Sequence, residues 1–181
     1  MARLVPEETA IVVVDVQERL ARVMPEPRVQ AVLRSARILL QGAKLLGAKA
    51  LITEQYPQGL GPTVEGVLEA AEGALRLEKR CFSAWDLEAF QTALGAPRAV
   101  IVLGMETHVC VFQTVRDLVN AGYAVHVPVD GVSSRQDDHR EAGLRSCERA
   151  GALLTTSETV AFDWLRYAEG DAFKALSRAI R

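Results

Sequence analysis

Cys110 is the residue with the most chemistry on offer. It lies six residues beyond Gly104, where an apolar run ends and a helix running to Ala121 is expected to begin. A thiol in a first helical turn meets unpaired backbone N–H groups and the positive end of the helix dipole, and both favour the nucleophilic thiolate. A free cysteine is equally at home as a small buried apolar residue, and position alone leaves both readings open. Asp15 follows directly on Ile11-Val12-Val13-Val14, so its charge would sit at the floor of a cleft or cap the next turn. Lys79 stands in Leu77-Glu78-Lys79-Arg80-Cys81-Phe82-Ser83-Ala84-Trp85, and a lysine on its own is usually solvated. Beside a buried aspartate and a cysteine it would instead hold the acid ionised and favour the thiolate.

The elements that must carry these residues alternate in period. Ile11–Val14 has the length and branching of a buried strand. Apolar residues then recur at Val29, Leu33, Ala36, Leu40, Ala43 and Leu46, one face of a helix. Gly47, Gly122 and Gly151 each close a helical stretch just before a new strand, around Ala48–Ile52, Tyr123–Val127 and Ala152–Leu154. Ala99–Leu103 is another buried strand, and Leu75–Glu78 a weaker one. Thr155-Thr156-Ser157-Glu158 has the pattern of a capping box opening the last helices. Strand and helix thus alternate about six times. This predicts a three-layer, doubly wound α/β domain over residues 1–181, with a mostly parallel six-stranded sheet and helices on both faces. Ligands of such sheets sit at the carboxyl ends of the strands, where Asp15, Glu54–Thr63, Lys79, Gly104–Cys110 and Asp130 all fall. Neither a Gly-x-Gly-x-x-Gly nor a Gly-x-x-x-x-Gly-Lys-Ser/Thr loop follows a strand, so the dinucleotide and nucleoside-triphosphate readings lose their main support.

The composition narrows the function further. With 181 residues, 49% hydrophobic and 24% charged, the chain is long enough for one substantial core. A net charge of −2 leaves no basic stripe for phosphates and speaks against nucleic-acid binding. No apolar run approaches the roughly 20 residues of a membrane span, and the N-terminal stretch does not read as a secretory signal. Cys81, Cys110 and Cys147 are too few and too scattered for a disulfide framework or zinc cage, so a cytoplasmic protein with reduced thiols is expected.

Taken together the chain resembles the isochorismatase-like cysteine hydrolases, closest to the uncharacterised isochorismatase-domain hydrolases. The resemblance rests on Val14-Asp15-Val16-Gln17, on Lys79 with Phe82-Ser83-Ala84-Trp85, and on Gly104-Met105-Glu106-Thr107-His108-Val109-Cys110-Val111-Phe112-Gln113-Thr114. It continues through Gly122–Arg135 and Thr155–Thr159, nearly the whole chain. It implies a Rossmann-like, isochorismatase-like hydrolase fold and a triad of Asp15 (base and proton shuttle), Lys79 (electrostatic partner) and Cys110 (nucleophile). It further implies a cis Met105–Glu106 peptide and an oxyanion hole from the backbone N–H groups of Glu106 and Cys110, suited to acyl transfer. The implied reaction is hydrolysis of a small amide or related C–N bond through a thioester. Vinyl-ether hydrolysis of the isochorismate type, or a non-catalytic binding protein of the same fold, are the alternatives. Relatives of the nicotinamidase type bind a metal through an Asp-x-His and a further histidine. Here residues 54–63 hold no histidine and only one acid, Glu54, so no metal and no cofactor are expected. The implied partners are a small-molecule substrate and further copies of the chain.

Around the triad, Gln17 would line the rim and Arg19 be solvated. Thr107 and His108 would reach the pocket or its rim. Tyr56, Phe82, Trp85 and Phe112 would wall the pocket or belong to the core. His126 would pack within a strand and His139 be solvated on a helix, while Cys81 and Cys147 would be buried filler.

Overall fold

A computed structural model of the chain describes residues 3–180. Its strands are β1 (Thr9–Val14), β2 (Lys49–Gln55), β3 (Leu75–Lys79), β4 (Ala99–Met105), β5 (Ala124–Pro128), β6 (Val132–Ser133) and β7 (Leu153–Thr155). They are ordered β3-β2-β1-β4-β5-β7 with β6 beside β4, and every pair is parallel. Six strands form the expected ladder. The seventh, β6, is two residues long and belongs to a segment with no run of its own to predict it. An antiparallel bridge joins Gln17 to Thr63 outside the sheet.

The helices are α1 (Glu18–Ala21), α2 (Glu26–Leu46), α3 (Pro57–Leu60), α4 (Glu65–Ala70), α5 (Glu88–Leu94), α6 (Phe112–Asn120), α7 (Asp137–Arg149), α8 (Ser157–Leu165) and α9 (Gly170–Ile180). Both faces of the central strands are buried, so their sequences run apolar without alternation. Ile11 and Val13 of β1, with Ile101 and Leu103 of β4, face Val32, Ala36 and Leu39 of α2 and Val160 and Trp164 of α8. Val12 and Val14, with Val100 and Val102, face Phe90 of α5, Val115 and Leu118 of α6, and Leu144 and Cys147 of α7. This makes three layers, as expected.

Gly47 ends α2 at φ 84°, and Gly122 and Gly151 take φ 92° and 108° before β5 and β7, so all three helix exits use the left-handed region. The start of α8 is shifted by one residue from the expected capping box. Thr156 is the cap and accepts from Thr159 N (3.1 Å), so the third helical residue is Thr159 and not a glutamate.

The chain leaves β1 for β2 and β3 on one side, then returns to β4 on the other. The strand order therefore reverses between β1 and β4, where this architecture opens its crevice.

Candidate active site

Asp15 is the first residue beyond β1 and turns the chain at φ 51°. Its N–H donates to Thr53 O (3.1 Å) and its carbonyl accepts from Gln17 N (2.8 Å). Thr53 Oγ1 donates to Asp15 Oδ1 (2.7 Å), and Lys79 Nζ donates to Oδ2 (2.6 Å). Both side chains of the ion pair are fully buried. The register explains this contact: Val14 pairs with Thr53, and Gln55 pairs with Lys79, so the three strand ends lie side by side. The ammonium also donates to Gln55 Oε1 (2.8 Å), Phe82 O (3.1 Å) and Cys81 O (3.2 Å). A buried cation needs this many acceptors in place of water. The solvated reading of Lys79 is therefore excluded.

The third element starts at Gly104, at φ 125°, where an added Cβ would lie 2.0 Å from Val14 O. Only glycine lets β4 press this closely on β1. The Met105–Glu106 peptide is cis. One π-helical turn over Thr107–Val111 then carries Cys110 before α6 begins. Glu106 O accepts from Val109 N (3.0 Å) and Val111 N (3.2 Å), which winds the turn. Outside the strand ladder the Glu106 N–H has no backbone acceptor among the described residues, and the Cys110 N–H has none outside its own turn.

The thiol of Cys110 feels the charges of both Asp15 and Lys79. Burial is the strongest effect and pushes its pKa up; the Asp15 charge pushes the same way, and Lys79 pulls it down. The balance stands at about 12, so the resting group is a neutral thiol. Of the two effects on the thiol, desolvation outweighs the first-turn position. Asp15 and Lys79 are 0% and 3% exposed and Cys110 7%, so Cys110 is the most accessible of the three.

The surrounding residues divide. Gln17 is not a rim residue: it is buried, donates to Gly61 O (2.7 Å) and Gln55 O (3.1 Å), and accepts from Gln55 N (2.7 Å), locking the 55–63 loop to β1. Arg19 donates to Gly59 O on the same loop (2.6 Å). Thr107 is buried with its hydroxyl on Ser133 O (3.0 Å). His108 pairs through Nδ1 with Ser134 Oγ (3.1 Å), and its ring lies 4.8 Å from that of the exposed His139. Burial lowers the His108 pKa. Tyr56 is partly exposed under the Arg80 guanidinium (4.3 Å from the ring centroid), and Phe82 is 55% exposed although its carbonyl holds Lys79. Phe112, half-buried, opens α6 under Arg116. Trp85 stacks edge-on against Tyr123 (5.6 Å), at the entry to β5 and so at the opposite end of the sheet from the triad. His126 and Cys147 are buried as expected, but Cys81 is only half-buried.

Thr53 and Gln55 were not singled out in the sequence. Their role depends on strand register, which local pattern does not encode. A metal set of the nicotinamidase type does not fit here. Glu54 Oε1 is taken by Thr63 N (2.8 Å) and Thr63 Oγ1 (2.7 Å), and no three His, Cys, Asp or Glu side chains converge among the described residues.

A parallel three-layer α/β fold with a buried Asp–Lys pair beside a cysteine at the strand-order reversal is the arrangement of a hydrolase family, and the sequence matches one. The isochorismatase domain profile matches residues 9–159, and the chain belongs to the isochorismatase family. Isochorismatase domain-containing protein 2 of Bos taurus is 34% identical over 184 residues, covering 100% of this chain and 87% of the relative. In structure the chain is similar to the MAR1 ribonuclease of Caenorhabditis elegans (TM-score 0.92, 36% identity, 99% of this chain and 92% of that one). It is also similar to YcaC from Pseudomonas aeruginosa, solved with covalent acrylamide (TM-score 0.87, 26% identity, 98% and 91%).

Proposed function

We propose that the protein is a cysteine-dependent hydrolase that cleaves a small amide or related C–N bond through a thioester. The observation that carries this reading is the fully buried Lys79–Asp15 pair acting on the Cys110 thiol. Asp15 takes the thiol proton as Sγ bonds to the carbonyl carbon. The carbonyl π electrons move onto oxygen, whose charge is met by the N–H groups of Glu106 and Cys110. Asp15 then gives the proton to the leaving nitrogen as the C–N bond breaks, and an amine or ammonia departs. In the second half water, deprotonated by Asp15, adds to the thioester carbon; the C–S bond breaks, the acid product departs and Asp15 returns the proton to Sγ. Lys79 keeps its charge throughout and balances the anion that forms at either partner.

Two features support the reading. The Glu106 N–H has no backbone acceptor outside the strand ladder and opens the turn that carries Cys110. A relative of the same fold, YcaC from Pseudomonas aeruginosa, holds acrylamide covalently. The proposal includes self-association and a cytoplasmic setting with reduced thiols. The Escherichia coli YcaC gene product, alike in fold (TM-score 0.88, 23% identity), is an octameric hydrolase of unknown specificity. No helix among the described residues is long and apolar enough to cross a membrane.

The test is ammonia release from a panel of small amides, ureides and carbamoyl compounds, run beside Cys110→Ala and with RNA as a separate arm, given the name of the nematode relative. The expected result is turnover of at least one C–N substrate and its loss in the variant. Turnover that survives Cys110→Ala, or RNA cleavage without any C–N activity, overturns the proposal.

A further inference from the structure

Three consecutive residues at the start of the nucleophile turn are each held by one of three consecutive residues beyond or within β6. Thr107 Oγ1 donates to Ser133 O, and His108 Nδ1 pairs with Ser134 Oγ. Glu106 Oε2 accepts from both Arg135 N (3.0 Å) and Arg135 Nε (3.1 Å). The Glu106 side chain is 9% exposed and that of Arg135 58%. Behind the turn, Gly143 of α7 lies so close that a Cβ there would meet His108 N at 2.7 Å and Thr107 C at 2.8 Å. The turn is thus pressed from one side by α7 and tied from another by residues 133–135.

Of these ties, the one to Glu106 has the most direct geometric consequence. Glu106 carries on its backbone the N–H to which the covalent reading gives the oxyanion, and on its side chain the anchored carboxylate. Fixing the carboxylate with two donors from one residue fixes the rotation of Glu106 and so the direction of that N–H. The guanidinium Nε adds a charge-assisted donor to the backbone N–H on the same carboxylate oxygen. A donor that points a few tenths of an ångström off the developing oxyanion loses much of its effect.

We propose that Arg135 is a positioning residue: through Glu106 it aims the Glu106 N–H at the oxygen of the substrate carbonyl. The inference rests on the covalent reading above. It assigns no direct contact between Arg135 and the reacting atoms.

Acetaldehyde, labelled with carbon-13 at C1, tests it. The Cys110 Sγ–carbon bond forms, the carbonyl π bond breaks, and the thiol proton passes to the oxygen, giving a hemithioacetal visible by NMR. That oxygen occupies the place of the oxyanion. Iodoacetamide alkylates the same sulfur by displacing iodide and places no developing charge there. Arg135→Ala is expected to weaken the hemithioacetal at least about tenfold, roughly the effect of one aimed hydrogen bond. Arg135→Lys, which restores a donor to Glu106, recovers most of it. The alkylation rate of Cys110 stays within about twofold in both variants. Acetaldehyde has no anionic group, so the loss cannot come from removing an arginine that grips substrate. Native hemithioacetal affinity in Arg135→Ala, or an alkylation rate falling in parallel, overturns the inference alone. Absence of any hemithioacetal in the unaltered protein overturns the covalent reading and the inference with it.

Discussion

Cys110 and Cys147 are two thiols in one apolar layer, and both are held near pKa 12. Cys147, on α7, is there because burial pushes its thiol up, countered only by a hydrogen bond to its own backbone. Cys110 reaches the same value as the sum of burial, the Asp15 charge and the opposing Lys79 charge. Equal values thus conceal different environments. One thiol is silent because nothing near it can accept a proton. The other is silent at rest beside a carboxylate that can. On the proposed mechanism, reactivity is a property of the neighbouring ion pair, not of a low resting pKa.

The largest contrast is expected from deleting each sulfur. Cys110→Ala should reduce turnover by many powers of ten, while Cys147→Ala should leave the rate per folded molecule nearly unchanged and cost about 1–2 kcal/mol of stability as a small core truncation. Steady-state kinetics and chemical denaturation of both variants check this.

The charge pair should move Cys110 in opposite directions while leaving Cys147 alone. Lys79→Met removes the charge that lowers the Cys110 pKa, so alkylation by iodoacetamide at a fixed alkaline pH should slow at least about tenfold, one pKa unit. It also leaves Asp15 as an uncompensated buried charge, at a cost of about 3–5 kcal/mol. Asp15→Asn removes a charge that raises the same pKa, so alkylation should quicken even as turnover disappears with the base. Mass spectrometry of the labelled sites separates the two cysteines. Identical Cys110 rates in all three proteins would remove the ion pair from the thiol's surroundings.

Both thiols should weaken the fold at high pH. Each is raised from the ordinary 9.0 to about 12 on folding. Between these values the unfolded chain has lost protons that the native chain retains, so stability falls as pH rises. Their contribution is complete below about 9 and gone above about 12. Denaturation midpoints from pH 8 to 11 should decline, and less steeply in either alanine variant. The smallest expected effect is that of a chelator: with Glu54 committed to Thr63, EDTA should leave turnover unchanged. Loss of activity restored by zinc or manganese would overturn that expectation.

Much of this was legible in the chain. Buried β-branched runs, the three glycine exits and the placing of Asp15, Lys79 and Cys110 at or beyond the ends of β1, β3 and β4 follow from local pattern. What was not legible depended on pairing across the sheet. Thr53 and Gln55 matter because of which residues they lie opposite, and β6 exists only because β4 is there to pair with. Trp85 sits within four residues of the carbonyls that hold Lys79, yet the short 3₁₀ turn at Ala84–Asp86 carries its ring toward Tyr123. For Cys110 the first-turn position is visible in the sequence, whereas the depth of burial that raises its pKa is a property of the assembled layers.

The ion pair spans 64 residues of chain, and the nucleophile lies beyond both of its members. A ribosome therefore delivers Asp15 and Lys79 well before Cys110, and a half-made chain lacks part of the proposed centre. Cleavage in the Gly95–Pro97 connection before β4 would divide the protein into a piece holding Asp15 and Lys79 and a piece holding Cys110. Neither piece is an enzyme fragment in any useful sense. Turnover regained on mixing them would report that β4 had docked against β1, which makes the reaction itself a gauge of assembly.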